Sequence, residues 1–281
     1  MHAASRDALA RVISHLDVAL WEAKENAIAT AAQTGAELFD VVDALDSERG
    51  LRIAVADAST TADQRIGLVS AVFAGKVSPA TLEVLISAAR ELWSNPREFR
   101  AGLITLGRRA LLRSAEGQGQ LKQVEDELFR LSRILEKESE LTLLLDDRSA
   151  DRTRKRELLA KVLYGKVTAV TEALALQVIG RRESNAIDDI NALSKEAAAL
   201  QGRSVAHVVS AGPLNDEQNQ ALVQKLERIY GRAMSIHSEV DPTPRWTDHP
   251  SRQRSHRWIY LGQARASPCE PRIARHDETI N

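Results

Sequence analysis

The sequence predicts a mainly α protein: two tandem small helical bundles followed by a small, incomplete α/β C-terminal domain. Three observations predict it. First, residues 37–81 slide against residues 127–171 without a gap, with 14 identities in 45 positions; unrelated chains of ordinary composition share roughly three. That is an internal duplication. Second, Ala, Leu, Glu and Arg dominate the composition, and only three prolines precede position 242, as helices require. Third, after Gly202 the apolar period changes from helical to alternating. The predicted divisions are 1–95 for the first helical repeat, 96–203 for the second, 204–242 for a strand–helix–strand part, and 243–281 for an atypical tail.

The repeat opens with Glu37-Leu38-Phe39 over Glu127-Leu128-Phe129 and closes with Gly75-Lys76-Val77 over Gly165-Lys166-Val167. Ser59 and Thr60 are expected to cap a helix that runs to Phe73 and stops at Gly75; Ser149 is expected to start its copy, which stops at Gly165. Leu68, Val69, Val72 and Phe73 give one apolar face, and Leu158, Leu159, Val162 and Leu163 give its match. Ser78-Pro79 and Asn95-Pro96 each put a cap before a first-turn proline, so new helices begin there. Connections this short imply antiparallel neighbours in each bundle. Beyond Gly202, residues 204–211 read as a strand. Asn215 and Gln218 form a capping-box start to a helix ending before Gly231, and residues 233–240 read as a second strand.

The chain has 281 residues, enough for about two domains. Net charge is −1, so nucleic acid is not an expected partner. A single cysteine, Cys269, excludes an intramolecular disulfide and a cysteine zinc site. No apolar run reaches the length of a membrane span, and Asp7 and Asp17 argue against a secretory leader; a soluble intracellular protein is expected. Gly165-Lys166-Val167-Thr168 fails as a phosphate loop, since Ala160 stands where the first glycine belongs and Val167 follows the lysine. Gly117-Gln118-Gly119 reads as a turn between helices. The histidines, His207 and His237 included, show no metal spacing. The basic run Arg152–Arg156 opens a helix, where it opposes the dipole, and reads either as a solvated turn or as a dock for an acidic partner. No catalytic, cofactor-binding or metal-binding residues are predicted, and no cofactor; the pattern is that of an interaction protein.

Residues 108–135, RRALLRSAEGQGQLKQVEDELFRLSRIL, resemble the opening of the ATP synthase delta subunit family, which includes the oligomycin-sensitivity-conferring protein. The similarity lies in an Ala-Leu helix, the turn at Gly119-Gln120-Leu121 and a helix ending in Glu-Leu-Phe. Residues 140–167 resemble the family's next element, and 205–242 the start of its C-terminal domain. The first 95 residues then look like an extra helical copy, as in the longer delta subunits of some bacteria. The resemblance implies a noncatalytic peripheral-stalk subunit of a proton-translocating F-type ATP synthase. It would sit on the cytoplasmic side of the cell membrane, peripheral to it through the complex. Its partners would be the N-terminal helix of an alpha subunit and subunit b. A tandem helical adaptor unrelated to ATP synthase is the alternative, although it gives no reason for the strand–helix–strand part.

The resemblance ends at Asp241-Pro242. Residues 243–281 contain no lysine, yet hold two of the four tryptophans and the only cysteine. The family continues instead with Gly-Gly, a hairpin, Asp-Gly-Ser and a final helix. Read one base out of frame, Trp246-Thr247 and Trp258-Ile259 each force a glycine codon, twelve residues apart, which is the family's spacing. The tail is therefore expected to be out of frame and to pack poorly, leaving the strands near 205–211 and 233–240 with unpaired edges.

Overall fold

Helix punctuation is written twice in this chain, ninety residues apart, and the backbone follows it. The computed structural model describes residues 1–147, 149–181, 184–202, 204–210, 215–230, 234–240 and 258–261. Its first compact unit, Met1–Ala197, is helical. Helix α1 spans Ala3–Glu22, α2 Ala27–Ser47, α3 Arg49–Ala54, α4 Ala62–Phe73 and α5 Pro79–Arg90. Then come α6 at Pro96–Gly117, α7 at Leu121–Lys137, α8 at Ser139–Asp146, α9 at Arg152–Leu163, α10 at Ala169–Gly180 and α11 at Ala186–Leu200. Helices α4 and α9 begin and end at positions ninety residues apart, and so do α5 and α10.

The shared residues have shared tasks. Gly75 and Gly165 follow α4 and α9 with φ of +75° and +68°, a left-handed conformation open to glycine without steric cost. Glu37 reaches from α2 to the start of α5, where its Oε2 accepts from Ser78 N at 2.8 Å and Ser78 Oγ at 2.8 Å. Glu127 does the same from α7: its Oε2 accepts from Thr168 N at 2.9 Å and Thr168 Oγ1 at 3.0 Å. Each carboxylate thus holds an N-cap residue whose own hydroxyl accepts from the backbone three residues on. Leu38 and Leu45 in the first copy, and Leu128 and Leu135 in the second, are fully buried at matching positions.

The start of α4 departs from expectation by one residue. Thr61 is the N-cap and forms a reciprocal capping box with Gln64. Ser59 is captured earlier, donating its N–H and hydroxyl to Asp57 Oδ1. In the second copy Ser149 is taken up by Asp147 in the same way, and Asp151 caps α9 by accepting from Thr153 N and Arg154 N. A carboxylate two residues ahead outcompetes the helix for the serine. Asn95 and Ser78 cap α6 and α5 ahead of their prolines, as the sequence indicates.

Helix α6 belongs to both copies. It packs along α2 and against α1 and α3 on one side, and against α7 and α10 on the other. It therefore closes the first repeat and opens the second, and its buried residues, among them Phe99, Leu103, Ile104, Leu106, Leu111 and Leu112, occupy most of its circumference. The close approach of α2 depends on glycine: a Cβ on Gly107 would lie 2.7 Å from the Phe39 ring, and one on Gly35 would lie 2.7 Å from Leu111 Cγ.

The second unit, Ala198–Asn281, has strands β1 at Ser204–Ser210, β2 at Met234–Val240 and β3 at Trp258–Leu261, with α12 at Asp216–Tyr230. The order is β2-β1-β3 and both pairings are parallel. Asn215 and Gln218 form the expected reciprocal cap of α12, at 3.1 and 2.7 Å. β1 has a partner on each side, in contrast to the unpaired edge expected of it. The short run Trp258–Leu261, aromatic and β-branched in character, supplies that second partner. The rest of the tail, 243–257 and 262–281, lies outside the described residues.

The glycine seam makes a prediction with opposite signs at two sites. Gly107→Val should destabilise the chain by about 1–3 kcal/mol through overpacking against Phe39. Gly67→Ala, at an α4 position where a Cβ would meet nothing within 4 Å, should stabilise by about 0.5–1 kcal/mol. Urea unfolding followed by circular dichroism measures both.

Candidate functional site

Among the described residues no group of three His, Cys, Asp or Glu is placed to hold a metal, and no helix is long and apolar enough to cross a membrane. His207 and His237 are register partners on β1 and β2. The Gly165-Lys166 pair is a helix end, where Lys166 N donates to Leu163 O at 2.9 Å. Gly119, with φ of +70°, turns the chain between α6 and α7. What the first unit offers is surfaces between helices.

A partly buried polar surface joins the two copies. The Arg181 guanidinium, next after α10, has a side chain only 1% exposed and pairs with Asp43 of α2 at 2.6 Å. It also donates to Phe39 O at 2.8 Å and lies over the Phe39 ring, 5.5 Å from its centroid. Burial pushes the Arg181 pKa down, and Asp43 opposes that fall. Arg156 and Arg152 of α9 face Asp43 and Asp46, each at 3.8 Å. Asp46 also takes a bidentate pair from Arg100 of α6 at 2.5 and 2.6 Å. Burial raises the Asp46 carboxyl pKa, but Arg100 outweighs it, with help from Arg152 and Arg181, and the net result lies below the usual carboxylate range. Of the basic run Arg152–Arg156, the two end residues thus lie near acidic counterparts on α2 of the first repeat, while Lys155 donates to Asp147 O and Arg152 and Arg154 remain exposed, as a solvated turn would have them. Sequence spacing alone carries no hint of those counterparts, which lie over one hundred residues earlier.

Within the first copy, α1 is fixed to α6 by Asp17, which accepts from Arg109 and Arg113 at 2.5 to 3.2 Å. Burial pushes this carboxyl up, and the two guanidiniums more than reverse it, holding it below its ordinary value. Arg108, on the other side of α6, donates to Gln177 of α10 at 3.1 Å and pairs with Glu196 of α11 at 3.1 Å.

Two of the clefts among the described residues open to solvent. One, of about 660 Å³, is lined by Arg49, Arg52, Ile53, Asn95, Pro96 and Arg97, at the junction of α3 and α6. The other, of about 200 Å³, lies between α1 and α5 and is lined by His15, Glu83, Ile86, Ser87 and Arg90. Val18 and Trp21 continue α1 beyond the second cleft and are 54% and 81% exposed. These residues were not singled out from the sequence. The legible signal was their register: the buried stripe of α1 is Ser5, Ala8, Val12, Leu16 and Leu20, and Val18 and Trp21 fall off it.

A family model described as ATP synthase delta (OSCP) subunit matches residues 109–244. An "ATP synthase subunit delta" of Corynebacterium diphtheriae is 86% identical over 243 residues, covering 86% of this chain and 89% of that protein. The chain belongs to the ATP synthase delta (OSCP) subunit family. The same name is carried by a Corynebacterium efficiens protein, 70% identical over 241 residues, 86% of this chain and 87% of its own length. It is carried also by one from Corynebacterium kroppenstedtii, 51% identical over 243 residues, 86% of this chain and 89% of its own. The family model begins within α6, at the opening of the second copy. Matches of this length necessarily extend into the first copy, so these relatives share the duplication.

The buried Arg181 supplies a test of the join between copies. Asp43→Ala should cost about 2–3 kcal/mol, because it strands a cation that burial already disfavours, discounted for the exposure of Asp43. Adding Arg181→Met should recover most of the loss, a non-additivity that a double-mutant cycle in denaturant measures.

Proposed function

We propose that this chain is a noncatalytic peripheral-stalk subunit of an F-type ATP synthase, holding the catalytic head against rotation relative to the membrane sector. The observation that carries this is the match to delta subunits across both helical copies and on into β2. In this reading the chain consists of two tandem helical repeats, 1–95 and 96–203, joined through α6, and an α/β part from residue 204. The helical part grips the N-terminal helix of an alpha subunit, and the C-terminal part ties to subunit b. The chain is then peripheral to the cell membrane, on its cytoplasmic side, through the complex. A stator works by not yielding. The features that support the reading are the long α2–α6 seam, the buried Arg181 pair and open helix-lined clefts of the kind that receive amphipathic helices.

The test is association without turnover. The purified chain should capture a synthetic alpha-subunit N-terminal peptide, with slow release, and should not hydrolyse ATP by itself. Calorimetry showing no binding of the alpha peptide or of a soluble b fragment would refute the stator reading.

The tail reading is part of the same proposal. Residues 243–281 are the family's C-terminal segment translated out of frame; the end of the family match at residue 244 supports this. A single-base change near codon 243 should open a frame encoding Gly-Gly followed by Asp-Gly-Ser. Sequencing the gene decides it, since a gene with no such frame leaves the tail as the chain's own.

A further inference from the structure

The corner where the third helix of a copy meets the start of the sixth occurs twice, with opposite chemistry. In the second copy α11 starts at Ala186, ninety residues after the start of α6 at Pro96. Asn185 caps it by accepting from Asp188 N at 2.8 Å, just as Asn95 caps α6 by accepting from Glu98 N at 2.9 Å. The second copy then seats a carboxylate of its own on this helix start: Asp146 Oδ1 accepts from Ala186 N at 2.9 Å. In the first copy Ala56 stands in the place of Asp146, and Pro96 has no N–H to offer. Where the second copy has Ser139, Thr142 and Ile187, the first has Arg49, Arg52 and Arg97. One corner is closed by an internal carboxylate; the other lacks it and carries three guanidiniums.

The three guanidiniums line the cleft of about 660 Å³ together with Ile53, Asn95 and Pro96, and no carboxylate is among its lining residues. Arg52 is anchored there, donating from Nη1 to Leu45 O at 3.1 Å and standing 3.6 Å from Asp46 Oδ1. Arg49 and Arg97 are exposed and form no ion pair among the described residues. The acids nearby are engaged elsewhere. Asp46 holds Arg100 at 2.6 Å, and Glu98 takes His2 Nδ1 at 2.7 Å and the amino terminus at 3.8 Å. Glu48 precedes α3 and is exposed, outside the cleft lining. Like charges gathered in one cleft repel one another, and an anion relieves that cost.

We propose that the α3/α6 cleft of the first repeat binds an acidic peptide segment of a partner protein, with its carboxylates on Arg49 and Arg97 and an apolar side chain against Ile53. The second copy names the chemistry, because the group seated at the equivalent corner is a carboxylate. With no backbone N–H at Pro96, recognition passes to the guanidinium forks, which take carboxylates bidentately. Arg52, already held by Leu45 O, adds its charge from the side. Ile53 is 45% exposed, and a peptide covers it where a bare phosphate does not. This site lies beyond the alpha and b contacts proposed above, and its test involves neither.

The experiment uses the full chain and a rhodamine-labelled peptide of alternating Glu and Leu, followed by fluorescence anisotropy at low ionic strength. The acidic peptide should bind, its counterpart with Gln for every Glu should not, and added salt should weaken the binding. Arg49→Ala with Arg97→Ala alters two exposed side chains. It should leave the helical circular dichroism unchanged while weakening binding by about tenfold or more. Arg49→Lys with Arg97→Lys keeps the charge without the fork and should weaken it less. Arg130→Ala with Arg154→Ala removes the same charge from exposed positions on α7 and α9 and should bind as the unaltered chain does. Equal losses in the two alanine pairs would mean general attraction between charges and would overturn the proposal. Failure of the unaltered chain to bind the acidic peptide overturns it too. So does displacement of the peptide by an equal concentration of inorganic pyrophosphate, which would assign the cleft to a phosphate ligand.

Discussion

The contact on which the helical unit depends is the close approach of α2 to α6. A long helix can serve two bundles at once only if neither side needs the space the other occupies. Gly107 and Gly35 supply that economy of space: with no side chain at either position, Phe39 and Leu111 seat directly on backbone. Once α2 is that near, Asp43 and Asp46 come within reach of cations on α9, α10 and α6, and the polar clasp follows from the apolar seam. The order of cause matters. Charge pairs are weak organisers by themselves, and here they close a surface that packing has already placed.

Much of this was legible in advance because local signals were strong. Pro79 and Pro96 behind Ser78 and Asn95 mark helix starts, and Gly75 and Gly165 mark ends, each through a backbone constraint that no tertiary context overrides. The Glu-Leu-Phe phrase was recognisable as repeated, but the reason for its glutamate was not. Glu37 and Glu127 act on residues forty-one positions away, and no local pattern encodes that distance. The same holds for Arg152 and Arg156, whose acidic neighbours lie on a helix of the other copy. Ser59 and Ser149 misled by proximity, since Asp57 and Asp147 reach them first. The helix interface that α6 shares was invisible for a different reason. A helix buried on most sides loses the one-sided apolar stripe by which helices are read, and α10, apolar all round, does so too.

Membership of the delta family gives this chain a structural part in a larger complex. Its task is mechanical, and the relevant property is resistance to separation under load rather than a tuned proton or a shaped pocket. The perturbed ionisations fit that role. Asp17, Asp46, Glu37 and Glu127 are all held below the ordinary carboxylate range, and each does so while tying one helix to another. These are fastenings, distributed through both copies, with none gathered in one cleft.

Helix α6 has a consequence for growth. Because it ends one six-helix bundle and begins the next, the second copy adds five helices, not six, and the clasp of α2 with Arg156 and Arg181 lies beside that shared helix. A stalk built on that rule lengthens in fixed increments, as a chain gains links by sharing the pin between neighbours. Each added unit would then bring five helices of its own and borrow the sixth, while leaving every earlier joint as it was.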